Sequence, residues 1–198
     1  MSASPGEIKA ELRRNLRAQA QSFSPAQRAA ASLQICARLK KRPIWASAQS
    51  ILFYYPISGE PNIQPLFAEA LAAGKCVVLP RYSPPNGHYE ICQVGDLEKD
   101  LQRGAFGIHE PNPGCPLFDP KKLDLILVPG IGFALNGLRL GRGKGYYDRL
   151  LAEMPGTKCG VAFDWQVAVE IPAEPHDIYL NCILTPTRWQ DVAGPCGF

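Results

Sequence analysis

Four consecutive apolar residues, Leu125 to Val128, run into Pro129-Gly130, and a glycine-rich loop then leads into a stretch of helical character, Tyr146 to Glu153. An apolar run without polar alternation belongs to a strand covered on both faces, which in a soluble chain means a parallel sheet packed between helices. Strand, loop and helix in this order commit the chain to an α/β architecture. The loop carries the chemistry. Gly141, Gly143 and Gly145 can take positive φ and admit a ligand where a Cβ would block it, while Arg139, Arg142 and Lys144 supply charge. Backbone N–H groups converging on an anion beside three cations suit a polyphosphate. A charge pair at about 4 Å is worth roughly 4 kcal/mol at an effective dielectric of about 20, against about 0.3–1 kcal/mol for a helix terminus, so the side chains dominate affinity. Lys144 is then the point charge and the arginines the forks.

Spacing excludes two familiar loops. A Walker A loop needs a glycine five positions before that of its Gly-Lys pair and a hydroxyl after the lysine; Leu138 and Gly145 stand there. A dinucleotide fingerprint needs two residues between its second and third glycines, and Lys144 alone separates Gly143 from Gly145. With no Ser or Thr to hold Mg²⁺, Asp148 is the nearest ligand for a hard cation.

The 198 residues fit one domain, 1–198, with chain enough for a substantial core. Hydrophobic residues at 46% and charged residues at 20% are globular proportions, and no apolar run reaches the roughly 20 residues of a membrane span. Lys9, Arg13, Arg14 and Arg17 lie where the apolar stretch of a signal peptide would be, so secretion is not expected. Seven cysteines without a CxxC pair suggest neither a disulfide framework nor a zinc site; reduced thiols in a cytoplasmic setting fit. A formal charge of +3 is too small to imply nucleic acid. Neither nucleic acid nor membrane is expected as a partner, and the chain is expected to be a monomer or weak homo-oligomer.

Ser4-Pro5-Gly6-Glu7 reads as a capping box opening a helix on which Ile8, Leu12 and Leu16 recur at four-residue spacing, and Ser24-Pro25-Ala26-Gln27 opens a second helix running towards Lys41. Lys9, Arg13 and Arg17 share the first helix's spacing and on that pattern alone read as a solvated face. From Ser50 the pattern alternates. Ile51 to Tyr55 is strand-like, Gln64 to Ala73 is helical and stopped by Gly74, and Cys76 to Leu79 is a strand, which together form a β-α-β unit. Further strands are expected at Tyr89 to Gln93, Cys159 to Phe163 and Tyr179 to Leu184. The whole predicts a single three-layer αβα domain with a largely parallel sheet and an N-terminal helical segment. Ligands in such folds gather beyond the carboxyl ends of the strands, which gathers Tyr55, Glu60, Arg81 and the glycine-rich loop into one cleft. The Pro- and Gly-rich stretch Gly104 to Pro120 reads as a binding loop. There is no GxSxG elbow, and His88, His109 and His176 lack metal-ligand spacing; His109 and His176 read as structural or surface residues. Tyr146, Tyr147 and one of Tyr54 and Tyr55 could equally be core aromatics, and Glu60 alone is an exposed carboxylate.

The run Val128 to Arg149 resembles the signature of the 5-formyltetrahydrofolate cyclo-ligase family, also called methenyltetrahydrofolate synthetase. The resemblance extends through Lys9 with Arg13, Tyr55 with Glu60, Leu79-Pro80-Arg81-Tyr82, Phe106-Gly107-Ile108 with Glu110-Pro111, Asp164 with Gln166, His176-Asp177 and Thr185-Pro186. It implies ATP- and Mg²⁺-dependent cyclisation of 5-formyltetrahydrofolate to 5,10-methenyltetrahydrofolate, by phosphorylation of the formyl oxygen and attack of N10. It further implies ATP contacts at Lys9, Arg13, Arg139, Gly141, Arg142, Gly143, Lys144, Gly145, Tyr146 and Tyr147. Folate contacts are implied at Tyr55, Glu60 and Arg142 to Tyr146, catalytic roles for Arg142, Lys144 and Tyr146, and a Mg²⁺ ligand in Asp148. Two positions depart from the family pattern: Ala134 stands where aspartate is common, and Asn181 where some members carry an aspartate associated with Mg²⁺. A non-catalytic nucleotide- or RNA-binding relative and a phosphosugar enzyme of related architecture share the anion loop. Lys144, Tyr146, Asp148 and Glu60 together favour the cyclo-ligase, since a binding module needs neither a metal carboxylate nor a folate contact.

Overall fold

The computed structural model describes residues 4–84, 87–104, 106–143, 145–168 and 170–192. Helices α1 (Pro5–Ala20) and α2 (Pro25–Lys40) start as their capping boxes dictate: Ser4 and Ser24 accept from the backbone of Glu7 and Gln27, whose side chains accept in return from the cap backbones. The chain continues through α3 (Pro43–Ser47), β1 (Ser50–Leu52), α4 (Pro65–Ala72), β2 (Cys76–Ser83), β3 (His88–Val94), β4 (Leu101–Arg103) and β5 (His109–Pro111). It then forms β6 (Leu125–Val128), β7 (Gly132–Ala134), β8 (Arg139–Leu140), α5 (Tyr146–Ala152), β9 (Thr157–Val161), β10 (Val167–Ala168), β11 (Cys182–Leu184) and β12 (Trp189–Asp191).

The central sheet has the order β12-β11-β9-β6-β1-β2-β3. Its five inner strands are mutually parallel, with Ile51 opposite both Val77 and Leu125, and the edge strands β3 and β12 run antiparallel. Alternation along these strands separates two cores. Ile51, Val77, Leu79, Leu125, Leu127, Val161 and Leu184 face Ile35 and Leu39 of α2, Trp45 of α3, and Leu66 and Phe67 of α4. Leu52, Val78, Ile126, Val128 and Ile183 face the other way, onto Leu151 of α5, Met154 and Phe133. Each such side chain contributes about 1.5–3 kcal/mol on burial. Helix α1 packs elsewhere, on the small sheet β10-β7-β8, where Leu16 meets Ala134, Leu138 and Leu140. The approach is close enough to require Gly132, since a Cβ there would stand 2.5 Å from Leu16 Cδ1.

The expected strands are present with shifted ends. β11 starts at Cys182 rather than Tyr179 because the Leu180 N–H bonds Gly137 O at 2.9 Å, which ties the chain to the β7–β8 turn before the ladder begins. β9 gives way when the Phe163 N–H turns to Gln166 Oε1 at 2.8 Å. Two strands with no sequence-stated expectation, β4 and β5, pair into a ribbon within and beside the stretch read as a binding loop. No helix among the described residues is long and apolar enough to cross a membrane.

Candidate active site

The carboxyl ends of β1, β2 and β6 open into a cavity of about 700 Å³, closed on its other sides by β3, the β4–β5 ribbon and the loop into α5. After β1 the chain delivers Tyr54 to the core, where its hydroxyl donates to Pro61 O at 2.8 Å, and Tyr55 to the cavity. A turn follows in which Glu60 folds back on Ile57: its N–H bonds Ile57 O at 3.0 Å, and its Oε2 accepts the Ile57 N–H at 3.2 Å. Gly59, at φ 90°, makes that reversal possible. Only 8% of the Glu60 side chain is exposed, and Oε1 meets Arg142 Nη2 at 3.2 Å. Burial pushes this carboxyl above its ordinary pKa, against the opposing pull of Arg142.

After β6, Pro129 and Gly130 line the cavity and are held from behind by Gln166, which is buried and donates through Nε2 to Gly130 O at 2.9 Å. The β7–β8 hairpin returns Arg139 to the cavity. Its guanidinium pairs with Asp148 (Nη2 to Oδ1, 2.8 Å) and lies 5.6 Å from the centre of the Tyr147 ring. Arg139 Nε is buried without a hydrogen-bond partner among the described residues. Gly143 and Gly145, at φ 96° and 63°, bend the loop as expected, and Arg13 of α1 donates from Nε to Gly141 O at 2.8 Å. Burial pushes the Tyr147 hydroxyl well above the ordinary phenol pKa, with the Glu60 charge acting in the same direction, so it stays neutral. Tyr146 joins Tyr82 and Tyr89 in an aromatic wall with centroid distances of 5.6–5.7 Å.

The structure thus brings Tyr55, Glu60, Arg139, Gly141, Arg142, Gly145, Tyr146, Tyr147 and Asp148 around one cavity, with Gly143 and Arg13 beside it. Lys144 lies outside the described residues. Lys9 goes elsewhere: its ammonium is buried between Glu174 and Asp177, at 2.6 and 2.7 Å. Burial works against that charge, but the two carboxylates outweigh it and raise its pKa. Glu174, His176 and Asp177 have ligand atoms within 4.8 Å of one another, yet the lysine already serves as their cation. Arg81 is likewise engaged away from the cavity, with Glu90 at 3.1 Å and Asn112 O at 2.8 Å. Asn181 sits at the amino end of β11, accepting the Lys158 N–H at 2.8 Å, at the opposite end of the sheet from the cavity. Ala134 is wholly buried in the apolar cluster under α1, where a carboxylate would need a partner.

Three contributors were missed in the sequence. Tyr89 is placed by the β2–β3 register, which sets it opposite Tyr82; the Pro-Pro-Asn-Gly sequence at 84–87 was the available signal. Gln166, noted only as part of the family resemblance, acts through backbone groups alone, accepting the Phe163 N–H and donating to the Gly130 and Ile131 carbonyls, so its role leaves no pattern. His109 faces the cavity, its ring 4.8 Å from that of Tyr55.

The chain matches the 5-formyltetrahydrofolate cyclo-ligase family over residues 5–186. It is 35% identical to a 5-formyltetrahydrofolate cyclo-ligase of Mycolicibacterium smegmatis, covering 72% of this chain and 76% of the relative, and 28% identical to that of Mus musculus, covering 89% and 91%. The solved 5,10-methenyltetrahydrofolate synthetase of Aquifex aeolicus superimposes with a TM-score of 0.85 at 34% identity, over 96% of both chains. A match spanning nearly the whole chain, on a fold that agrees throughout, assigns this protein to the 5-formyltetrahydrofolate cyclo-ligase family of ligases.

Proposed function

We propose that this chain, acting as one domain, converts 5-formyltetrahydrofolate and ATP to 5,10-methenyltetrahydrofolate, ADP and phosphate. The observation that carries the reading is the pairing, in one cavity, of a buried carboxylate on one wall with a buried arginine, held by Asp148, on another. A pterin ring presents adjacent N–H donors, and an ionised carboxylate is an acceptor-only group able to take both. Glu60 and Tyr55 therefore hold the folate head. A triphosphate needs fixed cations, which Arg139 and Arg13 supply together with Gly141 to Gly145, Lys144, Tyr146 and Tyr147.

The formyl carbonyl is a weak electrophile because N5 donates into it, and its oxygen is a poor leaving group. Its oxygen attacks the γ-phosphorus and ADP leaves; N10 then attacks the activated carbon and gives up its proton, and phosphate departs with the oxygen to leave the methenyl bridge. The protein's part is alignment of two substrates and stabilisation of a moving phosphoryl group, so no protein nucleophile is required. Arg142 and Lys144 follow the charge on the phosphoryl oxygens, and Tyr146 closes the reacting atoms from water. Arg142 is about half exposed, whereas its partner Glu60 is buried, so Arg142 is the member free to move. When the pterin takes the Glu60 oxygens, the guanidinium is released towards the phosphates.

Mg²⁺ is the expected companion of ATP. Asp148 fits it: one carboxylate oxygen is held by Arg139, the other accepts no hydrogen bond from a described residue, and the side chain lines the cavity. The ion would neutralise phosphate charge there. Mixing the purified protein with 5-formyltetrahydrofolate and MgATP should raise the near-ultraviolet absorbance of the conjugated methenyl cation. No rise, with no ATP-dependent loss of substrate, refutes the reading.

A further inference from the structure

Resting on that reading, we infer that Tyr54 and Ser32 are positioning residues for the folate: their hydroxyls grip the two ends of the Pro61–Asn62 peptide and so hold the Glu60 carboxylate where the pterin meets it. The Tyr54 hydroxyl donates to Pro61 O at 2.8 Å, and the Asn62 N–H donates to Ser32 Oγ at 2.9 Å. Pro61 O and the Asn62 N–H belong to one planar unit, so bonds at both ends fix its orientation. That orientation passes directly to Glu60. The Pro61 ring locks φ, which leaves ψ of Pro61 as the one soft torsion between the gripped peptide and the peptide that carries Glu60 Cα. On its other side Glu60 is held by the Ile57 turn, its N–H bonding Ile57 O at 3.0 Å.

Both hydroxyls are placed by rigid parts of the fold. Tyr54 follows β1 directly and is buried in the core against which α2 and α4 pack. Burial, with the Glu60 charge acting in the same direction, pushes its phenol well above the ordinary pKa, so it stays a neutral donor. Ser32 is buried on α2, where its hydroxyl donates back to Arg28 O at 2.8 Å. That bond turns the hydroxyl hydrogen into the helix and leaves a lone pair for Asn62. One turn further on, the Cys36 thiol reaches Asn62 O at 3.7 Å. Among the described residues the Tyr54 hydroxyl has no other partner, and a phenylalanine would fill the same apolar site, so the oxygen serves this peptide alone. A carboxylate on a loop would otherwise wander beyond the roughly 0.5 Å that a productive binding geometry tolerates.

Tyr54→Phe and Ser32→Ala each delete one hydroxyl, from different elements of the fold. Each should raise KM for 5-formyltetrahydrofolate roughly three- to tenfold, the span of one neutral hydrogen bond, with kcat and KM for ATP within about twofold of the unsubstituted protein. In a Glu60→Gln background, which has already lost the charged contact, Tyr54→Phe should raise that KM by less than about twofold more. Ser50→Ala separates positioning from stability. Ser50 is buried at the amino end of β1, away from the cavity, with its Oγ 2.9 Å from Asp124 Oδ2. Its loss should lower the melting temperature and leave KM for both substrates unchanged. An unchanged KM for folate in either hydroxyl variant, an equal rise in KM for ATP, a matching KM rise in Ser50→Ala, or an effect that multiplies in full with Glu60→Gln overturns the clamp while the cyclo-ligase reading stands. Absence of methenyl product from the unsubstituted protein overturns both.

Discussion

Replacing Glu60 with Gln tests the proposed folate site, because it keeps the shape and removes the charge. In the structure it converts a 3.2 Å ion pair with Arg142 and a 3.2 Å bond from the Ile57 N–H into neutral contacts. Arg142 is about half exposed, so that pair is worth only about 0–1 kcal/mol, and the fold should keep its stability within about 1 kcal/mol. Substrate binding should change more. A hydrogen bond to a charged acceptor contributes about 1.5–3 kcal/mol, corresponding to roughly a ten- to hundredfold change. Burial already makes the Glu60 charge costly, as its raised pKa shows, and glutamine escapes that cost, so the lower end of the range is expected. KM for 5-formyltetrahydrofolate should rise about tenfold while KM for ATP changes little. The pH profile supplies an independent check. Lowering the pH through the raised pKa of Glu60 protonates it and removes an acceptor, so kcat/KM for folate should fall on the acid side at a pH above the ordinary carboxylate value. In Glu60→Gln that limb should disappear. An unchanged KM, or an acid limb that persists in the variant, refutes the assignment of Glu60 to the pterin.

Three further substitutions separate the remaining roles. Lys144→Ala should lower turnover by orders of magnitude with an unchanged melting temperature; near-normal turnover would remove this lysine from the chemistry. Arg139→Lys keeps the charge but loses the fork that spans Asp148 and the cavity, so ATP affinity measured by calorimetry should drop about tenfold, whereas an unchanged affinity would place the phosphates elsewhere. Lys9→Met strands two carboxylates, Asp177 buried and Glu174 partly exposed; urea denaturation should show a loss of about 3 kcal/mol, and a stable variant with weakened ATP binding would instead return Lys9 to the nucleotide.

Sequence carried the frame of the molecule because its signals are local. Ser4 with Glu7 and Ser24 with Gln27 set where two helices begin, Leu125 to Val128 announced a strand covered on both faces, and Gly74, at φ 73°, ended α4. The carboxyl-end rule then placed Tyr55, Glu60 and the loop after Arg139 together without any contact being known. What escaped depends on pairing between distant segments. Lys9, Arg13 and Arg17 have one spacing and three different fates: Lys9 is taken by Glu174 and Asp177, Arg13 by the Gly141 carbonyl, and Arg17 remains exposed. Helical periodicity fixes their common side but not which partner the rest of the chain brings to each. His109 was missed for the same reason. Its place at the cavity comes from the pairing of β5 with β4 and a ring contact with Tyr55, neither of which has a counterpart in the local sequence.

The two cavity arginines explain how a cavity proposed to take a triphosphate can stay folded without its ligand. Arg139 and Arg142 each face a carboxylate, Asp148 at 2.8 Å and Glu60 at 3.2 Å, so the cavity approaches neutrality and neither buried group stands uncompensated. The pairs differ in the exposure of their arginine. Arg139 is 5% exposed at its side chain and Arg142 51%, so the first is a fixed part of the wall and the second can swing at little desolvation cost. Any ligand that satisfies Glu60 therefore frees a mobile cation, whereas one that satisfies Arg139 frees the carboxylate of Asp148. On the proposed reading, folate would deliver Arg142 to the phosphoryl group and ATP would deliver Asp148 to its metal. Each substrate then removes a countercharge that opposed the other, and binding of the two should be mutually reinforcing by linkage.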